Sequence, residues 1–157
     1  MAEYPPGAIA EHAFEEREHR ELVPGIDRIH DVASAVGTIT APDLCLALLD
    51  VVDWIDEVLA PHAAWEDAWL YPEFDRRAGT EWATNLMSYE HHQILEAGRL
   101  VIADRERLRS DQSRAEQNEL RGHLFALEAL LRAHIEREQR FLMPLLRTNE
   151  VAGAVAF

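Results

Sequence analysis

One stretch constrains this chain more than any other, and the chain states it twice. His62 to Pro72 reads HAAWEDAWLYP and His134 to Pro144 reads HIEREQRFLMP, so both are H-x3-E-x3-L-x-P. Residues four apart lie one above the other on a helix face. Each copy therefore aims an imidazole and a carboxylate at one region of space, with a proline expected to end the helix soon after. The same offset of 72 residues carries Glu18-His19-x-x-Leu22 onto Glu90-His91-x-x-Ile94. His19 to His62 and His91 to His134 are both separated by 43 residues. Four histidines and two glutamates thus form a two-fold repeating set. That is the composition of a metal site, and two ions suit it better than one.

The rest of the chain reads as helices. After a tail over residues 1–8, a first helix is expected over about 9–36, with Phe14, Leu22, Ile26, Ile29 and Ala33 as its apolar stripe and His19 beside it. Pro24 should kink it and Gly37 should stop it. Thr40 caps a second helix, on which Leu44, Leu48, Val51, Ile55, Leu59, His62, Glu66 and Trp69 recur in steps of three and four. Pro61 should bend it just before His62, and residues 72–79 read as a loop. Thr80 caps a third helix running to about residue 108, with Met87, His91, Ile94, Leu95, Gly98 and Ile102 facing inward. Ser113-x-x-Glu116 is a capping box for the fourth. Its inward face is Leu120, Leu124, Leu127, Leu131, His134, Glu138, Phe141 and Leu145, and the terminal VAGAVAF should fold back on it.

No strand-like alternation of useful length occurs. The expected fold is all-α, an up-down-up-down four-helix bundle. A chain of 157 residues fits a single domain spanning 1–157, with its core over about 9–147.

Composition removes several classes of function. A net charge of −14 disfavours nucleic acid and anionic membrane as partners. All 15 cationic side chains are arginine, so lysine Schiff-base chemistry is excluded. The lone Cys45 can form no internal disulfide and belongs to no C-x-x-C pair. The N-terminus lacks the basic and apolar regions of a signal peptide, and no run of about 18 apolar residues suggests a membrane span. A cytoplasmic protein is expected, as a monomer or weak dimer.

In the expected topology His19 and His91 lie early on helices running one way, and His62 and His134 lie late on helices running the other. All four fall at one level, each on an apolar face. Burying two carboxylates and four imidazoles without a cation would be costly. Nitrogen and bridging carboxylate donors without thiolate suit iron or manganese better than structural zinc. The symmetry places two histidines on each ion, with Glu66 and Glu138 bridging both. A solvent-derived oxo or hydroxo bridge completes about five ligands per iron and leaves a position open. Ferritin-like centres need two E-x-x-H motifs, and only Glu16-x-x-His19 fits.

On these residues the chain resembles the hemerythrin-like (HHE cation-binding) domains, four-helix bundles that hold a non-haem di-iron centre. EHREL around His19, HAAWEDAWLYP, EHHQIL around His91 and HIEREQRFLMP carry the resemblance across about residues 9–147. It implies an H-HxxxE-H-HxxxE ligand set of the bacterial type: His19, His62, Glu66, His91, His134 and Glu138. Oxygen-carrying members have a further histidine where this chain has Leu95, and an aspartate where it has Gln139. Their centre is asymmetric, whereas this ligand set looks symmetric. The resemblance thus points away from reversible oxygen carriage and towards peroxide or redox turnover.

Three functional readings follow. The centre binds O2, NO or another small oxidant for sensing, scavenging or detoxification. Alternatively it decomposes peroxide as a catalase- or peroxidase-like enzyme, or it makes the fold an iron sensor. Four histidines stand outside the set. His92 rivals His91, but its repeat counterpart is Arg20 and its helical neighbours are polar. His12 reads as a rim residue, and Glu15 or Glu16 could add a sixth ligand. His30 and His123, each 11 residues from a ligand, are expected at one level about 16 Å from the irons. There they would form a polar pair near Asp50 or Asp53. Trp65, Trp69, Tyr71 and Phe74 read as packing, with Tyr71 or Trp69 able to shield the site or carry a radical.

Overall fold

Capping chemistry sets where the helices begin and end. The computed structural model describes residues 12–144 other than 81, and side chains from His19 onward other than that of Ala83. Thr40 accepts the Asp43 N–H and opens a helix at Ala41. Ser113 and Glu116 form the reciprocal capping box that opens another at Arg114. Gly37 and Gly79 take left-handed φ values of 80° and 68°, which an L side chain adopts poorly, and they end the preceding helices.

Four helical rods result. They are α1 (His12–Ala35), α2 (residues 41–78), α3 (Trp82–Glu106) and α4 (residues 114–142). α1 and α3 each pack against both α2 and α4, which is the ring order of an up-down-up-down bundle. No strand occurs among the described residues. No helix of the described residues is long and apolar enough to cross a membrane.

Two rods are not plain α-helices. α2 is built of Ala41–Trp54, Ala60–Trp65 and Tyr71–Ala78, joined by π turns at Ile55–Leu59 and Glu66–Leu70. α4 is Arg114–Arg137 followed by a π turn at Glu138–Leu142. Each π turn ends two residues before a proline: Pro61, Pro72 and Pro144. The cause is local. Proline has no N–H for the carbonyl four residues back, and its ring collides with that carbonyl. Widening the turn relieves both problems. The residue before each proline then donates five residues back, from Ala60 to Ile55, Tyr71 to Glu66 and Met143 to Glu138.

The widened turns overturn three sequence expectations. Pro72 does not end its helix, and the loop read over 72–79 is helical as far as Ala78. The proline sits in the first turn of the next α segment, where a missing N–H costs nothing. Trp69 and Phe141, expected inward, are 49 % and 68 % exposed. In a wider turn the residue three positions on swings off the face, so Leu70 and Leu142 take the buried places instead. On α3, Leu95 and Ile102 are only half-buried, and Ala97 and Val101 join Ile94 in the core. Residues 1–8, Leu145, the VAGAVAF segment and the side chains of His12, Phe14, Glu15 and Glu16 lie outside the described residues.

α1 passes α2 at Gly25, one residue after Pro24. A Cβ on Gly25 would lie 2.0 Å from Trp54 Cε2, so only glycine lets the buried indole seat against the α1 backbone. Two apolar clusters follow along the bundle. The larger runs through all four rods from Val36 and Leu120 to Leu22, Leu59, Ile94 and Ile135. The smaller, Leu70, Tyr71, Phe74, Met87, Leu142 and Met143, closes the far end with Trp65 against it. The repeated His/Glu set lies between them.

Candidate metal centre

Each rod delivers its part of the set from a position its own sequence fixes. His19 comes from the start of the described α1 face, three residues before buried Leu22. His62 lies in the short α segment between two π turns, and Glu66 is the first residue of the second. His91 lies between buried Met87 and Ile94 on α3. His134 is in the last turn of the α segment of α4, and Glu138 opens its π turn. Both glutamates therefore stand at the same point of the same backbone irregularity. π turns recur at functional sites because they re-aim side chains without breaking the helix.

The six side chains meet. The His19 and His62 rings are 5.6 Å apart, and the His91 and His134 rings 4.6 Å. Glu66 faces both pairs: Oε1 is 3.0 Å from His62 Nε2 and 3.4 Å from His19 Nε2, and Oε2 is 3.0 Å from His91 Nε2. Glu138 does the same, with Oε2 3.1 Å from His19 Nε2 and Oε1 3.5 Å from His134 Nε2. Two groups of donor atoms could each hold a metal ion, Glu66 with His91, His134 and Glu138, and His19 with His62 and Glu66. Glu66 belongs to both.

The donor set fits a cation. Glu66 Oε2 and Glu138 Oε2 are fully buried and make no hydrogen bond, although an imidazole nitrogen lies about 3 Å from each. Those contacts have the distance of a hydrogen bond but not its direction. An ion between nitrogen and oxygen would satisfy both, and buried carboxylates without such a partner are costly.

Protonation follows the same logic. Burial pushes His19 down, but the close carboxylates of Glu138 and Glu66 outweigh it and raise the ring to about 10. His91 is raised too, burial again being overcome, by Glu66 and then Asp67. Burial pushes the Glu66 carboxyl up, but the charge of His62 and the close rings of His19 and His91 hold it well below the usual range. Without a cation, protons occupy the places that ions would take.

Neighbours hold the rings in place. His134 Nδ1 is 3.0 Å from Glu90 Oε2, whose other oxygen meets Arg137 Nη2 at 2.8 Å. His91 Nδ1 is 3.2 Å from Asp67 Oδ2, and Ser88 Oγ donates to the second Asp67 oxygen at 2.6 Å. Carboxylates behind metal-binding imidazoles orient the ring and raise its basicity. The Tyr71 hydroxyl donates to Glu138 Oε1 and lies 3.2 Å from His91 Nε2. Burial, then the charges of Glu66 and Glu138, push its phenol far above the ordinary tyrosine range, so it stays a neutral donor.

These neighbours break the two-fold repeat that the donors keep. The 72-residue offset carries Tyr71 onto Met143, Asp67 onto Gln139 and Trp65 onto Arg137. The six donors repeat in sequence, but the two groups they form are unequal, four donors in one and three in the other, and so are their surroundings. Glu90 was visible in the repeat as the residue before His91. Asp67 had no such signal, and the reach of Tyr71 depends on the π turn between Glu66 and itself.

The other histidines separate cleanly. His92 is exposed, while His91 is buried in the set. His30 and His123 do not form the expected pair and touch neither Asp50 nor Asp53. His30 Nδ1 is 3.0 Å from Glu128 and its ring stands edge-on to Phe125, whereas His123 Nδ1 is 2.6 Å from Asp104. Acids on α4 and α3 take them instead.

No curated protein and no solved structure matches the chain. The family model described as the hemerythrin HHE cation binding domain matches residues 12–146, nearly the whole of it. With that match added to a four-helix bundle and a buried His/Glu set able to hold a cation, the chain belongs to the hemerythrin HHE cation-binding family.

Proposed function

We propose that the set holds two iron ions, and that the protein binds small oxidants (O2, NO or peroxide) for sensing, scavenging or detoxification. His19 and His62 would hold one ion and His91 and His134 the other, with Glu66 and Glu138 bridging both. One observation carries this reading. The two oxygens of Glu66 face opposite histidine pairs, each 3.0 Å from an Nε2. A carboxylate serving one ion has no reason to be aimed both ways.

When bound, a carboxylate-bridged pair of irons exchanges electrons with a small oxidant. The chain supplies the setting. The apolar clusters on either side keep bulk water from the donors. A hydrogen bond to Glu90 fixes the His134 ring with Nε2 turned inward, and the Asp67 carboxylate lies 3.2 Å from Nδ1 of His91. Tyr71 keeps a proton at its hydroxyl between Glu138 Oε1 and His91 Nε2. That neutral hydroxyl favours a second reading, peroxide decomposition, because a fixed hydrogen-bond donor beside the ions would stabilise negative charge on a departing oxygen.

Elemental analysis tests the proposal. Two irons per chain are expected, lost in His62→Ala and in His134→Ala and retained in His92→Ala. Zinc, or one ion unaffected by these changes, would overturn it. Oxygen evolution from added peroxide, abolished in Glu66→Ala, separates turnover from binding alone.

A further inference from the structure

We infer that uncharged small molecules reach this centre from the His62 side, through a cleft between α1 and α2, and that the His134 side is closed to them. The inference rests on the di-iron reading for what the molecule meets inside. The cleft measures about 180 Å³ and is lined by Glu21 of α1 and by Glu57, Val58, Pro61, His62 and Trp65 of α2. His62 forms part of its wall and keeps 7 % side-chain exposure, the most of the four imidazoles in the set.

The internal repeat supplies a comparison within the same molecule. On α4, the counterparts of Pro61 and Trp65 are Ala133 and Arg137. They also line a surface hollow, with Glu136, Arg140 and Phe141, but His134 is not in its wall. The reason is the ion pair already described. Arg137 reaches Glu90, and Glu90 takes His134 Nδ1, so the pair lies across the ring. On the same half, the Tyr71 hydroxyl stands 3.2 Å from His91 Nε2, where the repeat offers Met143 to the other half. The described residues thus roof and fill one half, and those of the other half, His62 among them, line the cleft.

The cleft also selects by charge. Glu21 and Glu57 are both exposed at its mouth, no basic side chain among the described residues lines it, and the chain carries a net charge of −14. A negative mouth lowers the local concentration of anions and leaves neutral molecules unaffected. The ligand class is therefore the uncharged oxidants, O2, NO or H2O2, over anions of similar size.

Stopped-flow binding to the iron-loaded full chain tests this, with NO as the neutral probe and azide as the anionic one. Val58→Trp narrows the mouth at an exposed position and is expected to slow both by tenfold or more. Val58→Ala widens it and is expected to speed both. Glu21→Gln with Glu57→Gln should raise the azide rate by about 3–10-fold at low salt and leave NO unchanged. Ala133→Trp, on the repeated face, should change neither. Unaltered rates in both Val58 variants, or slowing in Ala133→Trp, would overturn the route. Iron is assayed in every sample. Wild-type protein without iron refutes the di-iron reading itself, whereas loaded protein with unaltered rates refutes the route alone.

Discussion

Tyr71 donates its hydroxyl to Glu138 on the facing rod, while its main-chain N–H reaches back to the carbonyl of Glu66 on its own. One residue thus bonds to both glutamates of the candidate centre, to Glu138 at the carboxylate and to Glu66 at the main chain. The main-chain bond exists only because the turn between Glu66 and Tyr71 is a π turn. The side-chain bond exists only because that turn carries Tyr71 inward, where it is almost wholly buried.

Tyr71→Phe keeps the main-chain bond and removes the hydroxyl, leaving a buried carboxylate oxygen without its donor. In the metal-free protein this should cost about 1–3 kcal/mol, or about 2–10 °C in Tm for a chain of this size. In the loaded protein an ion takes up the Glu138 charge, so the loss should be smaller. Thermal melts with and without metal check this. An equal drop in both states would mean that the hydroxyl does not stand in for a cation.

Pro72→Ala should trade function for regularity. Alanine restores an N–H and removes the ring that forces the widened turn, so Glu66–Leu70 can relax to an α-helix. The metal-free protein should then hold or gain stability, since alanine favours a helix interior. Glu66 would turn away from one histidine pair, and metal affinity should fall by tenfold or more. Circular dichroism, melting and metal titration on one sample separate the two effects. Unchanged metal affinity would show that the π turn does not place Glu66.

The same prolines mark what could and could not be read from the residues. The helices, their caps at Thr40 and Ser113, the stop at Gly37 and the meeting of the six donors all follow from local rules visible in the chain. The choice of His91 over His92 follows from the repeat. The π turns do not, because a period-of-3.6 pattern assumes a regular helix. That assumption put Trp69 and Phe141 inward and stopped the helix at Pro72. It also hid how Tyr71, read as packing or a shield, reaches Glu138, since Tyr71 is five residues beyond Glu66 and off its face in any α-helix. His30 and His123 failed for another reason. Register along two antiparallel rods fixes a level but not which neighbouring rod offers the nearer acid.

The protonation of the set predicts how stability changes with pH. His19 is raised from its ordinary 6.5 to about 10 in the folded protein. Its contribution is whole below about 6.5 and is lost as pH rises towards 10. His91 shifts in the same direction. Glu66 is lowered from its ordinary 4.5, so its contribution is present above that value and is lost as pH falls below it. Metal-free protein should therefore be most stable between about 4.5 and 6.5 and weaken steadily through the alkaline range. In the loaded protein an ion replaces those protons, so the alkaline decline should shrink and loading should release protons. Urea melts at pH 6, 8 and 10, with and without metal, check both. Parallel declines in the two states would overturn the account.

The broken repeat makes the two halves unequal in affinity as well. Asp67, anchored by Ser88, stands behind His91, while its counterpart beside the other half is the exposed amide Gln139. A carboxylate behind a metal-binding imidazole is commonly worth about 10–100-fold in affinity. Anaerobic titration with ferrous iron should therefore show two steps, the tighter one lost in His91→Ala and the weaker one in His62→Ala. Asp67→Asn should weaken the tighter step by about 10–100-fold and bring the two together. Gln139→Asp supplies a carboxylate to the other half and should strengthen the weaker step instead. A general loss of folding would lower both steps in both variants. Opposite shifts in the two variants can come only from the carboxylate itself, whereas a single unresolved step in the wild type would mean that Asp67 orients His91 without tuning it.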